Sequence, residues 1–263
     1  MVRRLGRTAV ARVLLWAAAA GALGGIPALH AAETAGARVN RVWPGVKLET
    51  PGGAHAAKAG DLLADGAIVR TDGKGRVELT LPGSGVARLG DKSSLKITDH
   101  ARTLELLEGL MLFETRGGGA SVKITTGSIN VAGRGGTGLI ERNGAAYVKI
   151  LVLEGEARVY TSQLGESVVL TPGQLLITGP SAKGLAEPVY FAIEQLYKTS
   201  LLMNSGFAPL ASRTAILQAI QKQQSDPHFV PTNLMIFGRG TLVNLLPPST
   251  TPKPRASAAP KKP

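Results

Sequence analysis

The sequence predicts a mainly β protein, a solenoid-like roll or sandwich of many short strands with a small C-terminal α-helical appendage. Three observations carry this. Apolar residues alternate from Arg38 to about Thr178. Gly, Pro, Asp and Asn separators recur roughly every 8–12 residues, the spacing of strands joined by tight turns. Only beyond Gly179-Pro180 does the apolar period change to three and four. Composition agrees: 33 glycines and 4% aromatics suit short strands packed through small aliphatics.

Taken in order, Val39 and Val42 open the pattern, and Val46 and Leu48 follow Pro44-Gly45. Ile68 and Val69 precede the turn Thr71-Asp72-Gly73. Arg76–Leu81 alternates, placing one face inside and one in water. Pro82-Gly83-Ser84-Gly85 turns the chain, and Val86, Leu89, Leu95 and Ile97 continue it. Leu104–Leu106 and Leu110–Phe113 flank Glu108-Gly109, Ser121–Thr125 alternates again, and Ser128–Val131 follows Gly127. Leu104–Gly109 resembles Ile150–Gly155, and each is followed by another strand. The pair reads as two strand–Glu-Gly–strand units of one stacked architecture, or as a coincidence among hairpins.

From Glu187 to Asn204, Val189, Ile193, Leu196, Tyr197 and Leu201 predict a helix with one buried stripe. Thr214–Gln224 predicts a second, with Ile216, Leu217 and Ile220 inward, ended by Asp226-Pro227. Leu234–Phe237 and Thr241–Leu246 suggest a closing hairpin around Gly238-Arg239-Gly240. Residues 247–263, rich in Pro and Lys, cannot build a core and read as a disordered basic tail.

At the other end, Arg3, Arg4 and Arg7 precede an apolar run to Leu23, then Gly24, Gly25, Pro27 and Leu29-His30-Ala31. This is the layout of a secretory signal cleaved near Ala31. The expected organisation is signal 1–31, β domain 38–179, helical or mixed region 180–246 and tail 247–263. The location is periplasmic or extracytoplasmic. The formal charge is +12; residues 1–31 hold four arginines and no acid, so the exported chain is near +8. Only the tail concentrates basic residues, so the charge reads as solvated strand faces rather than a nucleic-acid site.

The chain has no cysteine, which removes disulfides, thiol catalysis, thiolate metal sites and a lipid-modified cysteine. His30 leaves with the signal, and His55, His100 and His228 stand singly in surface-loop settings. Gly133–Gly138 resembles a phosphate loop, but Leu139-Ile140-Glu141 continues as strand and no helix opens. Ser84 lacks the glycine spacing of a nucleophile elbow. Glu108 and Glu154 are the best carboxylate pair to propose for chemistry, in an enzyme acting on cell-wall sugar, but each reads first as an acid before a turn glycine. The expectation is therefore no catalytic, cofactor or metal residues and no enzyme.

An ordered motif series remains. It comprises Ala59–Leu63, Gly66–Thr71, Gly75–Leu79 with Leu89–Leu95, and Leu107-Glu108-Gly109. It continues through Thr125–Gly127 to Gly136-Thr137, Val152–Gly155 and Leu170–Gln174. Over about Arg38 to Gly179 this resembles the FecR domain, a periplasmic sensor module. Thr126 stands where that family commonly has proline, and Leu139 or Ile140 where it has an aromatic. The resemblance implies a β-rich extracytoplasmic module for protein contact or sensing, with no catalytic residues. The family's regulators carry an anti-sigma segment and a membrane helix ahead of the domain. The signal-like residues 1–31 lead instead to the expectation of a sensor module alone. A protein partner in the envelope is implied, acting directly or with a separate membrane regulator. The basic tail is a candidate contact for wall or anionic membrane.

Overall fold

The structure is a computed structural model that describes residues 36–116, 122–162, 165–204 and 206–234. The signal segment, the hairpin beyond Leu234 and the tail lie outside the described residues, which belong to one compact unit.

Among the described residues fifteen strands form in chain order. The first eight are β1 (Ala37–Val42), β2 (Val46–Thr50), β3 (Gly53–Ala56), β4 (Leu62–Leu63), β5 (Ile68–Thr71), β6 (Val77–Leu81), β7 (Gly85–Leu89) and β8 (Ser94–Thr98). Then come β9 (Thr103–Thr115), β10 (Lys123–Thr126), β11 (Ile129–Asn143), β12 (Tyr147–Thr161), β13 (Ser167–Leu170), β14 (Gln174–Thr178) and β15 (Val189–Tyr190). Helices α1 (Ile193–Thr199), α2 (Leu201–Asn204) and α3 (Arg213–Gln224) follow.

The pairings resolve into two wings sharing three long strands. One wing runs β3-β2-β5-β8-β9-β10-β11-β12-β13, using the first part of β9 and β11 and the last part of β12. The other runs β4-β1-β6-β7-β9-β11-β12-β14-β15, using the complementary parts. All neighbours are antiparallel except β9 and β10. Aliphatic side chains of both wings meet in one inner core, among them Leu48, Val69, Leu79, Leu106, Ile124, Val131 and Ile150. The expected mainly β roll with a small helical appendage is what forms.

The repeated Glu-Gly pairs have a different use from the one expected. Each lies inside one continuous strand, at a bulge where that strand passes between wings. Register slips on β9 between the pairs Ser94–Glu108 and Leu95–Leu106, and on β12 between Thr137–Glu154 and Gly138–Val152. Gly109 and Gly155 adopt φ of 90° and 72°. A Cβ on Gly109 would lie 2.5 Å from Ser93 Cα, and one on Gly155 2.3 Å from the Gly135 carbonyl oxygen. Only glycine supplies both the left-handed backbone and the close approach.

The helical region also departs from expectation. Residues 187–192 are not helical: Val189 and Tyr190 pair with Leu175 and Gln174, and the helix begins at Ile193. Alternate apolar positions served the strand, and the edge of β14 supplied the hydrogen bonds. In α3, Ile216 and Ile220 are buried as expected, but Leu217 is 40% exposed. The buried stripe of α3 is too narrow to include it.

Candidate functional site

The outer face of the second wing is where the sequence conceals its charges. Alternation along β6 and β7 makes Glu78 and Arg88 look solvated, yet both are buried. Phe191, Ile193, Leu196, Leu202, Phe207, Leu210, Ile216 and Ile220 pack over that face, onto Leu110, Leu112, Leu139, Leu151, Leu153 and Leu175. This apolar cover excludes water from polar groups lying between those leucines.

Each such group is engaged. Arg88 Nε donates to Glu78 Oε2 at 2.7 Å, Nη1 to the Leu202 carbonyl at 2.8 Å and Nη2 to the Ala208 carbonyl at 2.5 Å. Its guanidinium lies 4.5 Å from the Phe207 ring centroid. Asn40 Nδ2 donates to the other oxygen of Glu78. Burial lowers the Arg88 pKa, and the Glu78 carboxylate partly opposes that shift. Directly opposite each other on β11 and β12, Glu141 and Lys149 form a second pair, with Nζ 2.6 Å from Oε2 and both side chains almost wholly buried. Burial also lowers the Lys149 pKa, against the pull of Glu141. Tyr147 Oη donates to Glu141 Oε1 at 2.6 Å. Buried pairs of this kind repay desolvation only when further hydrogen bonds satisfy both ions.

At the start of α3, Glu114 Oε1 accepts the Ser212 backbone N–H at 2.6 Å. Thr137 Oγ1 bonds Ser212 Oγ and Glu154 Oε1, each at 2.7 Å. Burial raises the Glu154 pKa; the Thr137 hydrogen bond opposes this and nearby Glu114 adds to it. Glu154 sits at the mouths of two clefts flanking α3. One, of about 460 Å³, reaches Glu114 and Ser212. The other, of about 840 Å³, reaches Tyr190, Gln218, Lys222 and Phe229.

The candidates considered for chemistry do not assemble. Glu154 pairs with Thr137, whereas Gly109 beside Glu108 pairs with Arg142 five positions further along β11. That is about 17 Å of strand, beyond the ~5–10 Å a glycosidase carboxylate pair needs. Glu108 instead accepts the Gly144 backbone N–H at 2.8 Å. His55 and His100 lie 3.7 and 3.6 Å from Asp61 and Asp65 and are exposed, as is His228. Gly133–Gly138 lies within β11, where Gly138 leaves room for the Phe113 ring. Ser84 closes a 3-10 turn. Among the described residues no three His, Cys, Asp or Glu side chains gather as a metal site, and no helix is long and apolar enough to cross a membrane.

Fold and site together define a non-covalently locked β roll: a β domain whose charged outer face is closed by its own C-terminal helices. Residues 67–158, β5 through most of β12, match the family model described as FecR protein. Glu78, Arg88, Glu114, Glu141, Lys149 and Glu154 fall within the match, while every helix covering them falls outside it. The chain is also similar to two crystal structures of a protein from Parabacteroides distasonis ATCC 8503 described as a "putative anti-sigma factor". Identity is 16% in both, with TM-scores of 0.42 and 0.43. The similarity covers 49% and 50% of this chain and 62% and 64% of those chains, less than two thirds of their length. No curated protein matches the chain.

The buried charged residues that the sequence concealed are Arg88, Glu78, Lys149 and Glu141. The available signal was joint: charged residues on strands whose outer face an amphipathic segment must cover.

Proposed function

We propose that this is an exported, non-catalytic FecR-domain protein that binds a protein partner in the cell envelope and takes part in envelope signalling. The FecR match over residues 67–158 carries the reading. The layout of residues 1–31 supports export and cleavage near Ala31. Engagement of the buried ionisable groups in holding the helices supports a structural use for them. Exposed sheet edges offer a simple route for contact: all of β3 is exposed, and among the described residues it pairs only with β2.

In-cell photo-crosslinking from positions on β3 and on β1 tests the reading. The expected result is a discrete adduct with an envelope protein on a chain whose first residue is Ala32. Absence of any protein adduct from all positions, or recovery of the chain in the cytoplasm, would overturn it. A separate membrane regulator as the crosslinked species would identify the signalling arrangement.

A further inference from the structure

Resting on that protein-binding reading, we infer that Arg41, Trp43 and Arg76 form a docking surface for a partner segment carrying paired carboxylates. The guanidinium carbons of Arg41 and Arg76 lie 5.1 and 4.9 Å from the Trp43 ring centroid. They are therefore no more than about 10 Å apart. Among the described residues neither arginine has a carboxylate within 4.0 Å, and Glu33 is the only acidic residue elsewhere in the chain. Glu78, opposite Arg41 across β1 and β6, is already taken by Arg88 and Asn40. Arg41 is exposed, and Trp43 and Arg76 are half-buried.

The platform is fixed from behind. Trp43 packs at 4.5 Å against Phe207, which sits on Arg88, and the Trp43 backbone N–H donates to the Arg76 carbonyl at 2.9 Å. An indole held rigid by packing loses little entropy on binding, and the two arginines beside it supply forked donors. Trp and Arg together are the chemistry of protein-interface anchors. Alternate residues of an extended segment are about 7 Å apart and share one face, so acids at i and i+2 match the two guanidiniums. Trp43 and Arg41 precede the FecR match, Arg76 lies within it and Phe207 follows it, so the surface joins the matched stretch to its flanking segments.

Trp43 and Trp16 are the two tryptophans, so the full chain carrying W16F reports on Trp43 alone. Its emission is titrated with a peptide of alternating Ala and Glu, the same peptide with Gln for Glu, and phosphatidylglycerol vesicles. The Glu peptide is expected to change the emission saturably and to bind at least about tenfold more tightly than the Gln peptide. R41Q/R76Q, with unchanged thermal unfolding, should lose that tenfold. R41E/R76E should bind a peptide with Lys in place of Glu. Equal binding of Glu and Gln peptides, an unaffected R41Q/R76Q variant, or a response to vesicles without one to peptide overturns the surface. Unchanged in-cell protein adducts from R41Q/R76Q would overturn it too, while leaving the envelope protein-binding reading standing.

Discussion

Along β12, Val148, Ile150 and Val152 enter the inner core, while Lys149, Leu151 and Leu153 between them meet the outer face under the helices. The same strand thus serves two interiors built by different rules. The inner one is apolar and built mostly of aliphatic side chains. The outer one mixes leucines with two buried ion pairs and a carboxylate cluster, and it exists only because residues 191–220 lie over it. The contrast teaches that period-two alternation identifies a sheet's faces but not which of them is wet.

The sharpest way to break the contrast is to unpair the outer face. Lys149→Met removes the ammonium 2.6 Å from the buried Glu141 carboxylate and is expected to cost about 3–5 kcal/mol in denaturant unfolding. Adding Glu141→Gln should restore most of that loss, since the amide still accepts from Tyr147; a double variant as unstable as the single one would mean that the charge pair is not the source. Next, Leu106→Ala in the inner core should cost about 2–5 kcal/mol, and there no second substitution at a polar residue will compensate. Gly138→Ala is smaller. Its Cβ would lie 2.5 Å from the Leu151 carbonyl oxygen and 2.7 Å from the Phe113 ring, an overpacking of about 1–3 kcal/mol readable by thermal unfolding.

The smallest effect concerns pH. Glu154 has a folded pKa above its unfolded value, so the folded chain binds the proton more tightly. Its cost is absent below the ordinary carboxylate range and grows as pH rises through the raised folded pKa. Stability should therefore fall over that window, and Glu154→Gln should flatten the fall; an unchanged slope in Glu154→Gln would assign the dependence elsewhere.

Much of the fold was legible because inner-core alternation is strict: Val46 and Leu48, Val69, Leu95 and Ile97, Ile124, Val131 and Val159 all point inward. What misled was ambiguity of period and of glycine. Val189 sits equally well in a strand and in a helix of period 3.6, and only the free edge of β14 decides. Glu-Gly reads as a turn, and only pairing on both sides of β9 and β12 reveals a bulge within one strand. The site was less legible than the fold. Arg88 and Glu78 occupy positions that alternation assigns to water, and their burial depends on contacts more than a hundred residues away.

That separation orders events during synthesis. Arg88 bonds to carbonyls 114 and 120 residues downstream. At roughly 5–20 residues per second, the ribosome makes those acceptors roughly 6–24 s after the arginine. During that interval β8 to β15 and α1 are made in turn, before the rest of the helical cover exists. Closure over Arg88 is consequently timed by the chain's own C-terminal segment, the last of the described elements to be made.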